Sequence, residues 1–135
     1  MHKAICYVST VSPGLSQDEI EQILLLSQLK NNNAHINGLL LFSNGSFLQI
    51  IEGESSIIDN LWKNINYDRR HFNLIKIFEQ DVVQENFEDY HSDFVSINTR
   101  YSPVKFQEYL NHIQMLDFSS QTAIKNILNS FVKLN

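Results

Sequence analysis

The sequence has one cysteine, two prolines, four glycines and one tryptophan in 135 residues. A single thiol, Cys6, can build neither a disulfide framework nor a cysteine-based metal site. So few prolines and glycines leave no room for a collagen-like or low-complexity segment. Basic residues are scarce as well: 10 Lys and Arg stand against 15 Asp and Glu, for a net charge of −5. Nucleic-acid binding depends on neutralising phosphates, so no nucleic-acid partner is expected. No apolar run approaches the roughly 18 residues that span a bilayer. Met1-His2-Lys3 leads straight into strand-like residues, without the apolar core and cleavage site of a signal peptide. A cytoplasmic protein with no membrane partner is expected. The P-loop, dinucleotide, nucleophile-elbow and zincin patterns are all missing. His2, His35, His71, His91 and His112 lack metal-ligand spacing, so no metal is expected.

What is present is an ordinary globular composition, 43% hydrophobic and 19% charged. A chain of this size buries about 68–70% of its unfolded surface and needs no covalent staple. Residues 3–10 are rich in β-formers and end at Pro13-Gly14, which predicts a strand and a loop. Ser16 and Glu19 match a capping box, followed by Ile20, Ile23, Leu24 and Ser27 at helical spacing. That helix is expected to end at Lys30-Asn31-Asn32-Asn33, where Asn suits a left-handed cap. Asn44-Gly45 between residues 36–43 and 46–52 predicts a hairpin with a type I′ turn. Ser55 or Ser56 is the expected cap of a second helix carrying Ile58, Leu61, Trp62 and Ile65. Strands follow over 72–79 and around 91–97. Ser102-Pro103 opens a helix with Phe106, Tyr109, Leu110 and Ile113 on one face, and Ser119 or Ser120 a last one with Ile124, Ile127, Leu128 and Phe131.

The order is β-α-β-β-α-β, one more β, then two helices. That is an α+β, ferredoxin-like sheet with two helices on one face and two C-terminal helices. Alternation puts Phe47, Gln49 and Ile51 on one face of their strand and Ile5, Tyr7 and Ser9 on one face of the first, and both Tyr7 and Gln49 are expected to face the helix layer. A buried Gln amide needs partners for one oxygen and two N–H groups. By themselves Tyr7 and Gln49 read either as a hydrogen-bonded core pair or as a ligand site.

Several stretches in order give context: Cys6-Tyr7-x-Ser9, Ser27-Gln28-x-x-Asn31, Asn37-Gly38-Leu39-Leu40, Gly45-x-Phe47-x-Gln49-x-x-Glu52-Gly53 and Ile65-x-x-Asp68-x-Arg70-His71. With them the chain resembles the BLUF family of flavin-using blue-light sensors, over about residues 3–97. The resemblance implies a flavin-binding domain over 1–99 with a helical extension over 100–135. It implies FAD held non-covalently between the two helices, with FMN or riboflavin as alternatives. Tyr7 and Gln49 match the photoactive pair. Ser27, Lys30, Asn31, Ile65, Asp68, Arg70 and His71 match cofactor-binding positions. Ser9, Tyr90 and Ser92 match positions of the signal relay, but here Tyr90 and Ser92 stand where the family usually has Trp and Met. Lys30 also stands where many members carry another hydrogen-bonding side chain.

The implied function is a blue-light photoreceptor, not an enzyme, which signals by rearranging hydrogen bonds of Gln49 and Tyr7. The implied listeners are a homo-oligomer and a separate effector protein. The alternative is an interaction module of the same fold with weak or lost photochemistry. An acylphosphatase-like enzyme would need an anion-cradling loop with Arg after the first strand, and Ser12-Pro13-Gly14-Leu15 has none.

The apolar stripes after residue 100 must be buried somewhere. Truncation after Thr99 is therefore expected to cause aggregation or unfolding. Size-exclusion chromatography and circular dichroism check this; a soluble, folded truncation would contradict it.

Overall fold

The computed structural model describes residues 1–82, 90–94 and 117–132, with the backbone alone for 90–94 and 128–132. Five strands are present: β1 (His2–Val11), β2 (Asn37–Ser43), β3 (Ser46–Glu54), β4 (His71–Val82) and β5 (Tyr90–Phe94). Helix α1 (Gln17–Asn33) joins β1 to β2, α2 (Ser55–Tyr67) joins β3 to β4, and α3 (Phe118–Val132) follows β5 in the described chain. The sheet order is β4-β1-β3-β2-β5. All neighbours are antiparallel except β2 and β5, which are parallel. The first four strands form the expected ferredoxin-like arrangement, with β5 added beside β2. The expected helix after Ser102-Pro103 lies outside the described residues.

The pleat sorts the side chains onto two covered faces. On one face Ile5, Leu40, Phe42, Phe47 and Ile51 pack with Ile20 and Leu24 of α1 and Ile58 of α2. On the other, Cys6, Leu39, Leu41, Leu48 and Ile50 pack against Ile124 of α3, with Ile127 beside it. The Leu39-Leu40-Leu41 run thus serves both faces of an interior strand. Cys6 is fully buried, and burial pushes its thiol pKa up, so it is an inert core residue. Each fully buried aliphatic side chain in these clusters contributes about 1.5–3 kcal/mol.

Several local features follow the sequence and several do not. Asn44 and Gly45 both have positive φ, 50° and 85°, as a type I′ turn requires. Ser16 and Glu19 form the capping box of α1. At the other end of α1 the left-handed residue is His35, with φ 58°, and not one of the three asparagines. Asn31 is instead turned inward and buried. Helix α2 is capped by Glu54, whose carboxylate accepts from the Ser56 N–H at 3.3 Å and its hydroxyl at 2.6 Å. The Ser55 hydroxyl is taken by the Met1 carbonyl. Likewise α3 is opened by Asp117, which accepts from Ser120 N–H and Oγ.

Strand β4 does not follow β1 residue for residue. Cys6 pairs with Phe78 and Tyr7 with Lys76, so Ile77 is an extra residue on β4. A second extra residue lies between Ile75, opposite Val8, and Phe72, opposite Thr10. Such bulges re-aim side chains, and the first lies beside Tyr7.

Ile124 joins α3 to the sheet. Ile124→Ala should lower stability by about 2–4 kcal/mol. Leu25→Ala, on an exposed part of α1, should change it by less than about 0.5 kcal/mol. Urea unfolding of both variants checks whether α3 is part of the cooperative core.

Candidate functional site

A cavity of about 330 Å³ opens between α1, α2 and the sheet. Its floor is Tyr7 of β1, Leu40 of β2, and Phe47 and Gln49 of β3. One wall is Ile23, Leu26, Ser27, Lys30 and Asn31 of α1; the other is Leu61, Asn64 and Ile65 of α2. Asp68, Arg70 and His71 close the end where α2 turns into β4. Tyr7, Gln49, Ser27, Lys30, Asn31, Ile65, Asp68, Arg70 and His71, scattered over 65 positions of sequence, are thereby brought to one place.

The floor carries a buried polar pair. Tyr7 and Gln49 lie opposite each other in the β1–β3 register, and the Tyr7 hydroxyl donates to Gln49 Oε1. Both side chains are buried. A donor–acceptor pair in a low-dielectric site is strong, and rotating the amide would replace its oxygen by an N–H. Asn31 is 5% exposed, and among the described residues its side-chain amide makes no hydrogen bond. A buried amide without a partner costs about 1–3 kcal/mol unless a ligand or water supplies one. Facing this cavity, it marks where a polar ligand edge belongs.

The far end is held by short local ties. Arg70 Nε donates to both Asp68 carboxylate oxygens, at 3.0 and 3.1 Å, and a terminal nitrogen donates to Oδ2 at 2.6 Å. The Arg70 backbone N–H adds a bond to Oδ1 at 3.0 Å. These bonds hold the Asp68 carboxyl below its usual range and raise the Arg70 pKa further. His71 Nε2 lies 2.8 Å from the Ile65 carbonyl, which can only accept, so Nε2 carries the proton. Nδ1 lies 2.8 Å from Ser9 Oγ, and in the neutral imidazole it accepts from the Ser9 hydroxyl. Ser9 therefore does not line the cavity; it orients a residue that does.

Three groups of residues differ from the sequence expectation or complete it. Leu40, Phe47, Ile23 and Leu61, read from the sequence as strand or helix face residues, line the cavity, as do Leu26 and Asn64, which the sequence reading did not single out. The clue was a surplus of apolar residues on α1, where Leu25, Leu26 and Leu29 all lie more than half exposed. Trp62, read as part of the α2 apolar face, packs its ring on Tyr7 at 5.2 Å between centroids. On β5 the backbone register places Tyr90 opposite Gly38 and Ser92 opposite Leu40. Among the described residues no cluster of His, Cys, Asp or Glu could hold a metal ion, and no helix is long and apolar enough to cross a membrane.

The residues suit a flat ring with one polar edge: apolar walls, a few placed amides, and charges at the mouth. Comparison with known proteins points the same way. The family model described as sensors of blue light using FAD (BLUF) matches residues 3–93. The chain is 27% identical over 74 residues to the photoactivated adenylate cyclase subunit alpha of Euglena gracilis, covering 55% of this chain and 7% of that one. It is 25% identical over 77 residues to the blue light- and temperature-regulated antirepressor BluF of Escherichia coli strain K12, covering 57% and 19%. The chain thus spans less than a fifth of these relatives. Among solved structures it is similar to a bacterial light-regulated adenylyl cyclase, at 29% identity and a TM-score of 0.68, over 96% of this chain and 34% of that one. It also shares the fold of BlrB, a BLUF protein in its dark state, at 23% identity and a TM-score of 0.68, over 96% of both chains. Klebsiella pneumoniae BlrP1 with FMN and cyclic diGMP aligns at a TM-score of 0.76 and 20% identity, over 99% of this chain and 35% of that one.

The Asp68–Arg70 clamp has a definite pH signature. A folded-state pKa below the ordinary 3.8 makes the clamp's stabilisation present above that value and lost as pH falls through the folded pKa. Carbon-detected NMR should show Asp68 titrating with a midpoint below 3.8. Arg70→Gln should move that midpoint upward; an unmoved midpoint would remove the clamp from the account.

Proposed function

The chain belongs to the BLUF family, sensors of blue light using FAD, and on that premise we propose that it is a blue-light photoreceptor in which Tyr7 and Gln49 form the switch. The observation that carries this reading is the buried Tyr7–Gln49 hydrogen bond on the floor of a cavity of about 330 Å³ lined by apolar side chains and a few amides. The BLUF domain is a sensor module, and the proposed role of these residues is sensing rather than turnover.

Asn31 would bond the polar edge of the isoalloxazine, with Ser27 beside it and Ile65 against the ring face. Lys30, Asp68, Arg70 and His71 stand where the ribityl chain and phosphates leave the cavity. Arg70 can meet a phosphate with the part of its guanidinium fork that Asp68 leaves open. FAD is the proposed cofactor; FMN or riboflavin would fill the same ring site. When bound, the flavin supplies light absorption and, once excited, a one-electron oxidant. Tyr7 is placed to give up an electron and, through its hydroxyl, a proton to Gln49. The Gln49 amide, relieved of its original bond, can rotate or change tautomer. Its donor end and acceptor end then exchange places, which gives two hydrogen-bond states with the rest of the site unmoved. His71, oriented by its contacts with Ser9 and the Ile65 carbonyl, packs edge-on against the phenol. The altered amide would be read through the sheet by a second copy of the chain or by a separate effector protein.

An absorption spectrum before and after blue light tests the reading. A flavin band with a reversible red shift is expected. Gln49→Leu should keep the flavin and lose the shift, because the side chain stays similar in size and loses both amide ends. Tyr7→Phe should lose it too, since no phenolic proton remains. Asn31→Ala should weaken flavin retention by about 1–3 kcal/mol, or roughly 5- to 150-fold in dissociation constant. A colourless protein, or normal shifts in both switch variants, would overturn the assignment.

A second reading is an interaction module of this fold without productive photochemistry. Tyr90 and Ser92 favour it, because Met would be a longer and more adaptable filler than Ser at that position. Ser92→Met discriminates. If it changes the dark-recovery rate while the initial shift persists, the photoreceptor reading holds. If it creates a shift that the natural sequence lacks, the second reading holds.

A further inference from the structure

We propose that Trp62 is a second electron donor of the site, in contact with the ring of Tyr7 and held back by the charge of Lys76. The proposal rests on the reading of the cavity as a flavin site. It goes beyond the Tyr7–Gln49 switch.

Trp62 is the single tryptophan of the chain. It does not line the cavity. It stands on α2 behind Tyr7, with ring centroids 5.2 Å apart and planes inclined at 57°. His71 meets the same phenol edge-on at 5.9 Å. Tyr7 is therefore flanked by one aromatic ring that faces the cavity and one that does not. Electron exchange falls steeply with distance, and rings in contact are at its short end. Phenol and indole are also oxidised at comparable potentials, so their surroundings decide which of them keeps an electron vacancy.

Those surroundings are asymmetric. The Lys76 ammonium lies 5.6 Å from the centroid of the Trp62 ring. A cation over an indole face is attracted to the neutral ring and opposes positive charge developing on it. Glu79 holds that ammonium at 2.8 Å, and Lys3 bridges Glu79 at 3.3 Å to Asp59 of α2 at 2.6 Å. Glu79 offsets part of the Lys76 field, and the half-buried ring feels the difference. Lys76 owes this place to the bulge in β4. Continued regularly from Cys6–Phe78, the ladder would set Ile77 opposite Tyr7; the extra residue sets Lys76 there.

The electron balance is closed. With a flavin bound and excited, Tyr7 would give it one electron and would pass its phenolic proton to Gln49. Trp62 can then pass one electron to the Tyr7 phenoxyl, Tyr7 recovers its proton from Gln49, and Trp62 is left as a radical cation. The electron that Tyr7 gave up finally returns to Trp62, and every group is restored. Each such event undoes the Tyr7–Gln49 change before the hydrogen bonds rearrange. Lys76, by disfavouring the radical cation, keeps the vacancy on Tyr7 and raises the yield of the switch. Trp62 is the redox partner; Lys76 acts through it and is a positioning residue.

Two measurements on the full chain test this. Transient absorption of the flavin-loaded protein should show a tryptophanyl signal that grows about threefold in Lys76→Gln, as a lost partly screened charge implies. The yield of the red shift should fall in parallel. Lys76→Arg should restore both, and adding Trp62→Phe to Lys76→Gln should restore the yield. Pulse radiolysis of the flavin-free chain, with azidyl radical as the oxidant of Trp62, reads the same contact without any flavin. The tryptophanyl signal should pass to Tyr7 at a rate independent of protein concentration, more slowly in Lys76→Gln and not at all in Tyr7→Phe. Radiolysis decays identical with and without Tyr7, or a tyrosyl lifetime unchanged in both Trp62→Phe and Lys76→Gln, would overturn the proposal. A chain that binds no flavin would defeat the reading of the cavity, while the radiolysis comparison would still decide the exchange between Trp62 and Tyr7.

Discussion

One register underlies the rest of the molecule: Tyr7 of β1 opposite Gln49 of β3. Side chains alternate along a strand, so a slip of either strand by one residue would send its member of the pair to the other face, bringing in Cys6 from β1 or Leu48 and Ile50 from β3. Burial on both faces prevents the slip. The helices α1 and α2 need Ile5, Phe47 and Ile51 on their side. Helix α3 needs Cys6, Leu48 and Ile50 on the other. The hydrogen bond that forms the proposed switch is thus held in place by two apolar clusters that have no part in its chemistry.

Rigidity at the floor contrasts with the polar work at the cavity end. Asp68, Arg70 and His71 lie within four positions of each other, yet they are anchored in two different ways. Asp68 binds Arg70, whereas His71 ties the Ile65 carbonyl of α2 to Ser9 of β1. The helix end, the strand start and the sheet are therefore one unit. The position of Ile65 against a bound ring would be set by the same imidazole that faces Tyr7. A ligand that fills the cavity would complete this unit by supplying the partner that the Asn31 amide lacks.

The cavity has two flanks through which a change at Gln49 or Tyr7 can reach the surface. One runs through β2 to β5, where Tyr90 and Ser92 replace the residues usual in the family. The other runs from Tyr7 through Trp62 to Lys76, Glu79 and Lys3 on β4 and β1. A chain of contacts is not by itself a pathway; the physical requirement is a two-state element that both ends bias. The Tyr7–Gln49 pair is the element proposed for that role. A departure on the β5 side and a charged aromatic contact on the β4 side make the two flanks chemically unequal.

The strand and helix order, the Asn44-Gly45 turn, the capping box at Ser16 and the two faces of β3 could all be read from the sequence. Each depends on residues within a few positions of one another, and local periodicity records them directly. That Tyr7 and Gln49 share a cavity with Ser27, Lys30, Asn31, Ile65, Asp68, Arg70 and His71 was legible only through resemblance to a family, because the contact joins segments far apart in the chain. Other features had no local signal at all. Glu54 displaced Ser55 and Ser56 as the α2 cap because Ser55 met the Met1 carbonyl. His35, not an asparagine, took the left-handed turn, because α1 continues through all three asparagines to Asn33 and the chain turns only after Ala34. The bulge that sets Lys76 opposite Tyr7, and the placing of Trp62 behind that phenol, were decided by how β4 and α2 dock on β1. Alternation and helical period specify which side of its own element a residue occupies. Only the packed elements decide what stands opposite it.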